Sequence, residues 1–136
     1  MSNLKRTALA IDRDLLEKFD TWMADHGYTN RSEAVRDLMR TALVEAEWAD
    51  PDARVMATLS IIYDHSARHL AQELAGLQHE DHHAVLCSQH VHLNHHDCLE
   101  VIIMRGTSAQ LRRMTDAIVS TRGVKAGQLT LMSTKV

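Results

Sequence analysis

Seven of the ten histidines in this 136-residue chain fall between His79 and His96. The densest part is Gln89-His90-Val91-His92-Leu93-Asn94-His95-His96-Asp97-Cys98. Residues 84–93 read as a strand, and side chains two apart on a strand share a face. The imidazoles of His90 and His92 therefore leave one face together. Asn94 to Asp97 is polar and turn-like, and Cys98-Leu99-Glu100-Val101-Ile102-Ile103 reads as the returning strand. If His92 pairs opposite Cys98, the thiolate joins that face and Glu100 falls opposite His90. Borderline-soft nitrogen and sulfur donors converging on one point describe a transition-metal site. A lone strand histidine is usually only a polar surface residue. The His-x-His pair answered by a cysteine across a hairpin is what favours a metal. Parity sends Cys87 to the opposite face with Val85, Val91 and Leu93, where it is expected as a small buried hydrophobe. His82, His83, His95 and His96 fall in loops and are expected to be solvated.

The elements that must hold this hairpin follow from periodicity. Val55 to Tyr63 reads as a strand, and Ser66 to Gln78 as a helix with Ala67, Leu70, Ala71, Leu74 and Leu77 on its apolar side. After the hairpin, Thr107 and Gln110 form a capping box. The helix they open buries Leu111, Met114, Ile118 and Val119, and Gly123 ends it. Gln128 to Met132 closes as a last strand. This order is the ferredoxin-like βαββαβ arrangement. Its sheet carries helices on one face only. The uncovered face can pack against another subunit, and His90 and His92 are expected on that face or near its rim. A site shared between subunits is then natural, and His79, just past the preceding helix, is a candidate fourth ligand.

The first part of the chain is built differently. Lys5 to Ile11 is a short extended segment with Arg6, Ala8 and Ala10 on one face. Asp12 is a good N-cap for a helix carrying Leu15, Leu16, Phe19, Trp22 and Met23, which Gly27 terminates. A second helix opens at Asn30, with Glu33 as capping-box partner and a stripe of Ala34, Val35, Leu38, Met39, Ala42 and Leu43. A strand followed by two helices over ~45 residues is too small to bury a core alone. Two copies pairing their strands as an antiparallel ribbon solve the problem. That is the ribbon-helix-helix (βαα) plan, whose ribbon enters the DNA major groove. A helical hairpin used only for dimerisation is the plain alternative. Residues 1–46 hold seven Lys/Arg and eight Asp/Glu. Phosphate contacts must then come from Lys5, Arg6, Arg31 and the amides opening the second helix, while Ala8 and Ala10 offer apolar contact to thymine methyls.

The fold class expected is thus α+β: residues 1–46 as the ribbon-helix-helix, 47–54 as a linker around the only proline, Pro51, and 55–136 as the ferredoxin-like metal-binding and tetramerisation domain. The hydrophobic fraction, 45%, and charged fraction, 24%, are those of a folded soluble protein. The net charge of −3 excludes binding nucleic acid by bulk positive charge. No apolar run approaches a membrane span, and Met1 to Arg6 has no signal-peptide core. Two cysteines on opposite faces do not make a disulfide framework, so a reducing cytoplasm fits best.

These residues resemble the nickel-responsive transcriptional regulators, from Arg6 to about Leu131. The carriers are Asn30-Arg31-Ser32-Glu33-Ala34-Val35-Arg36-Asp37, Gln78-His79, His90-Val91-His92-Leu93-Asn94-His95 and Asp97-Cys98-Leu99-Glu100. The resemblance implies a repressor of nickel-uptake genes, a homotetramer built as a dimer of dimers, that meets a palindromic operator in double-stranded DNA. It implies one Ni(2+) per chain in square-planar geometry, held by His90, His92 and Cys98 with His79 from a neighbouring subunit. Gln78 and Glu100 match positions that orient the ligands. Glu33 and Asp37 match carboxylates that help hold a second cation between the two domains; a solvated i, i+4 acidic pair is the alternative. The C-terminal domain is expected to be ACT-like. The ribbon departs from the family, which usually carries a hydroxyl-bearing side chain where this chain has Ala8 and Ala10, so the operator sequence does not carry over. Two rivals remain: a regulator of this architecture sensing another metal or an organic effector, and a metalloenzyme. An enzyme lacks a general base beside an open coordination position, so none is expected.

Overall fold

The computed structural model describes residues 4–67, 69–80 and 83–135. The chain divides into two compact units, Met1–Arg40 and Thr41–Val136. Among the described residues, no helix is long and apolar enough to cross a membrane.

In the first unit, residues 4–12 belong to no helix or strand; a ladder there requires a second strand to pair with. Helix α1 spans Arg13–Asp25, and its N-cap Asp12 accepts bonds from the amides of Asp14 and Leu15. Gly27 follows at φ 74°, the left-handed conformation in which helices commonly end. Helix α2 spans Arg31–Ala49. The Asn30 side-chain oxygen caps it by accepting from the Glu33 amide at 2.8 Å, and its NH2 donates to the Glu33 carboxylate at 3.3 Å. Glu33 thus closes on the side chain of the cap rather than on its backbone N–H. Among the described residues of this unit only Met23 and Ala34 are buried hydrophobics, while Leu15 and Met39 of the predicted stripes stay 60% and 53% exposed.

The second unit contains β1 (Arg54–Asp64), α3 (Leu70–Glu80), β2 (Val85–His92), β3 (Asp97–Thr107), α4 (Ser108–Val119) and β4 (Val124–Met132). The strands form one antiparallel sheet in the order β2-β3-β1-β4, an α+β arrangement compatible with the ferredoxin-like plan. Alternate residues of β1 and β3 face the helices. Leu59, Ile61, Ile102 and Met104 close a core with Leu70 and Leu74 of α3 and Leu111, Met114 and Ile118 of α4. Each such fully buried side chain contributes ~1.5–3 kcal/mol by leaving water. Trp48, in the stretch expected as linker, belongs to this core; its Nε1 donates to the Met132 carbonyl, and its own carbonyl accepts from Ser108 Oγ.

Helix α4 opens on the expected capping box, with both reciprocal bonds between Thr107 and Gln110 formed. Helix α3 begins at Leu70 rather than near Ser66, because Asp64 Oδ1 accepts from both the amide and hydroxyl of Ser66 and folds that stretch into a turn. Strand β4 begins earlier than Gln128 and includes Gly127, where an added Cβ would lie 2.5 Å from Val119 Cγ2. Glycine there lets α4 approach the sheet.

Candidate metal centre

The hairpin register is the one the sequence implies: His92 pairs with Cys98 and His90 with Glu100. Across the next strand Cys98 pairs with Tyr63 and Glu100 with Ile61. The turn that fixes this register is heavily bonded. Asn94 Oδ1 accepts from the amides of His96 and Asp97, its NH2 donates to Asp97, and Lys125 Nζ donates to the same carboxylate. Lys125, the largest influence, and Asn94 hold the Asp97 carboxyl below its usual range.

One expectation about the sheet needs correcting. His90 and His92 lie on the face that carries the helices, at the edge strand, and not on the uncovered face. They share that face with Cys98 and Glu100, each only 1% exposed. Pairing with Cys98 and Glu100 sets their face, and a β-bulge between Val85 and Cys87, with one extra residue opposite β3, resets the phase ahead of it. Val85 therefore packs against the core and the two histidines still face the same way. A second correction concerns Cys87, which is exposed rather than buried. It sits on the uncovered face, where this single chain has no layer above it.

Geometry brings four of the predicted residues together. Cys98 Sγ lies 3.9 Å from His90 Nδ1, His90 Nε2 lies 3.5 Å from Glu100 Oε1, and Gln78 Nε2 donates to that oxygen at 2.8 Å. Gln78 thus ties α3 to the buried carboxylate. A cavity of about 340 Å³ opens over this group, walled by Ala71 and Ala75 of α3 and lined also by His79 and His90. His92 is opposite Cys98 in register, but its ring stands edge-on to that of His65, with centroids 4.7 Å apart. Among the described residues, no three His, Cys, Asp or Glu side chains are close enough in one chain to hold a metal ion. His90 and Cys98 come within 3.9 Å of each other, two donors toward such a site. Their imidazole and sulfur, with a second hairpin imidazole alongside, fit a planar divalent metal such as Ni(II) or Cu(II) better than the oxygen-preferring Mg(II) or Ca(II).

Sequence reasoning missed two residues here. Tyr63 is 2% exposed, and its hydroxyl lies 3.2 Å from His90 Nδ1. Burial, then the neighbouring Glu100 carboxylate, pushes the phenol well above its ordinary value. His65 lies beside His92 while its amide donates to the His96 carbonyl. Both are far from the hairpin in sequence, so no spacing announced them. Of the loop histidines, His83, His95 and His96 are exposed, and His96 Nδ1 lies 3.4 Å from Ser66 Oγ. His82 lies outside the described residues.

The residues expected at DNA are exposed: Lys5, Arg6, Ala8 and Ala10 on the segment before α1, and Arg31 opening α2. Arg31 makes a two-pronged pair with Asp20, at 2.7 and 2.6 Å, and this holds the Asp20 carboxyl below its usual range. Asp37 accepts from Tyr28 at 3.1 Å and from Arg40 at 2.6 Å, whereas Glu33 serves the α2 cap.

Residues 56–132 match the family described as NikR C terminal nickel binding domain. A relative from Solibacter usitatus, named "Putative nickel-responsive regulator", is 51% identical over 98% of this chain and 96% of its own length. Relatives with the same name from Nitratidesulfovibrio vulgaris and Geobacter sulfurreducens are 46% and 41% identical over the same shares. In fold, the chain is similar to the solved structure of an uncharacterized protein from Thermotoga maritima, with a TM-score of 0.52 at 9% identity, covering 57% of this chain and 96% of that one.

Proposed function

The chain belongs to the family of nickel-responsive regulators, and from that premise we propose that it is a cytoplasmic, nickel-dependent DNA-binding repressor of nickel-uptake genes. The observation that carries this reading is the row His92–Cys98 beside His90–Glu100 on one face of the hairpin, with sulfur and imidazole nitrogen 3.9 Å apart. In the proposed site each chain gives His90, His92 and Cys98 to one Ni(2+), and a neighbouring subunit gives His79. Glu100 and Gln78 hold the imidazole and α3 in place. Bound nickel supplies no reaction here; its effect is on which arrangement of subunits is favoured. The DNA-competent arrangement binds the metal more tightly than the others, and DNA in turn tightens metal binding. Copper binds such donors more tightly than nickel, so selectivity depends on geometry and availability.

In this proposal residues 1–46 form ribbon-helix-helix dimers, 47–54 connect them, and 55–136 assemble the tetramer. The thin core of the first unit supports the dimer. The uncovered sheet face, with Val91 46% exposed and Leu99, Val101 and Ile103 half-buried, supports assembly through the second. Lys5, Arg6, Ala8 and Ala10 would meet the operator. Arg31 would join them only by sharing or leaving Asp20. A second cation at Glu33 and Asp37 would have to compete with the Arg40 guanidinium already on Asp37.

The test is a Ni(II) titration of the reduced, metal-free protein followed by operator binding with and without the metal. Thiolate-to-nickel charge-transfer absorption saturating at one metal per chain, absent in Cys98→Ala and His90→Ala, is expected, together with operator binding that requires nickel. A Cys98→Ala protein that still switched normally would instead favour an organic effector.

A further inference from the structure

We propose that Tyr63 is a positioning residue of this centre, whose hydroxyl occupies His90 Nδ1 in the metal-free protein and passes to the Cys98 sulfur when that nitrogen becomes a ligand. The inference rests on the nickel-site reading above. A phenolic O–H removed from water needs a partner, and every partner of this one belongs to the site. It reaches His90 Nδ1 at 3.2 Å, stands opposite Cys98 in the strand register, and senses the thiol and the Glu100 carboxylate beside it.

The donor and acceptor inventory orders these contacts. A neutral imidazole has one N–H and one bare nitrogen. His90 Nε2 faces the Glu100 carboxylate, an acceptor only, which favours the ring proton on Nε2 and leaves Nδ1 bare to accept from the tyrosine hydroxyl. Glu100 is held in turn by Gln78. The chain from Tyr63 through His90 and Glu100 to Gln78 thus sets both the tautomer and the plane of the ring.

Nδ1 is also the nitrogen that faces Cys98 Sγ. The lone pair that the tyrosine occupies is therefore the one available to bind a metal together with that sulfur. Once it is taken, the buried hydroxyl has a thiolate next to it as acceptor, and a hydrogen bond to an ionised acceptor is about twice as strong as one between neutral groups. Such a bond lowers the energy of the sulfur lone pair, which raises the energy of sulfur-to-metal charge transfer. A tyrosine that only filled space would do neither.

Two measurements test this. In the metal-free protein, nitrogen-15 NMR of the His90 imidazole, assigned by comparison with His90→Gln, is expected to place its proton on Nε2; a proton on Nδ1 overturns the proposal without any Tyr63 variant. Wild type and Tyr63→Phe, which keeps the ring, are then titrated with Ni(II). The variant is expected to bind about 10-fold more weakly, the lower end of losses for groups that orient ligands, with its charge-transfer band moved to longer wavelength. A wild-type band that Tyr63→Phe leaves unchanged in position and affinity overturns the role of Tyr63 alone. No band in wild type overturns the site and this role with it.

Discussion

The unit Met1–Arg40 and the unit Thr41–Val136 both contain amphipathic helices, but water is left against them to different extents. In the second, Leu59, Ile61, Ile102, Leu111 and Ile118 are fully enclosed between sheet and helices. In the first, Met23 and Ala34 are the buried hydrophobics among the described residues, and Leu9, Leu15, Leu38 and Met39 remain open. A four-stranded sheet offers each helix a surface to lie on, whereas two helices without a sheet offer only each other. The second unit can therefore position a hairpin from within one chain, whereas the proposed ribbon-helix-helix dimer would complete the first with another copy. Each unit holds one of the two tryptophans, Trp22 and Trp48, so each can be followed separately in single-tryptophan variants.

The largest expected effect is in the second unit. Ile61→Ala should cost ~2–5 kcal/mol, the range for truncating a buried aliphatic, in denaturant unfolding followed by Trp48 in a Trp22→Phe background. A loss below about 1 kcal/mol would erase the contrast. Next, unfolding of the first unit, followed by Trp22 in a Trp48→Phe background, should move with protein concentration. For a dimer the shift is about 1.4 kcal/mol per tenfold; no dependence would mean that α1 and α2 suffice alone. Thr107→Ala should remove ~1 kcal/mol from the second unit through the cap of α4, and calorimetry should find the first unit unaffected.

The smallest effect is with acid. Lys125 holds the Asp97 carboxyl low and Arg31 does the same for Asp20. A depressed carboxyl contributes stability that is present above the ordinary carboxylate value, about pH 4, and is lost as pH falls through the lowered folded value. Lys125→Ala should therefore move acid unfolding of the second unit slightly upward in pH and leave the first where it was. An equal shift in both, by circular dichroism, would show that the units do not unfold separately.

The three helix N-caps at Asp12, Asn30 and Thr107 and the facing of His92 on Cys98 were legible in the sequence because each is set by residues a few positions apart. The Asn94–Asp97 turn fixes the hairpin register locally. What escaped depends on distant neighbours. The last strand was expected only from Gln128, and Gly127 joins it beneath Val119 of α4, a neighbour that no local spacing announces. Tyr63 looked like one more strand aromatic, because His90 meets it only across β3. The exposure of Cys87 was not legible either, since burial on a sheet's second face is decided by what covers it.

The bulge at Val85–Cys87 has an evolutionary consequence. Ahead of it, Ala84 and Val85 are anchored in the core, the Ala84 carbonyl accepting from the Arg105 amide. Beyond it, His90 and His92 keep the phase set by their own turn. The extra residue breaks β2 into two segments whose inward sides are counted from different ends. A lineage can then gain or lose a residue at that joint by shifting the anchor, while the histidines stay on their face. Length variation between α3 and the hairpin is in this way insulated from the ligands, and related chains are expected to differ in length there more readily than between His90 and Cys98.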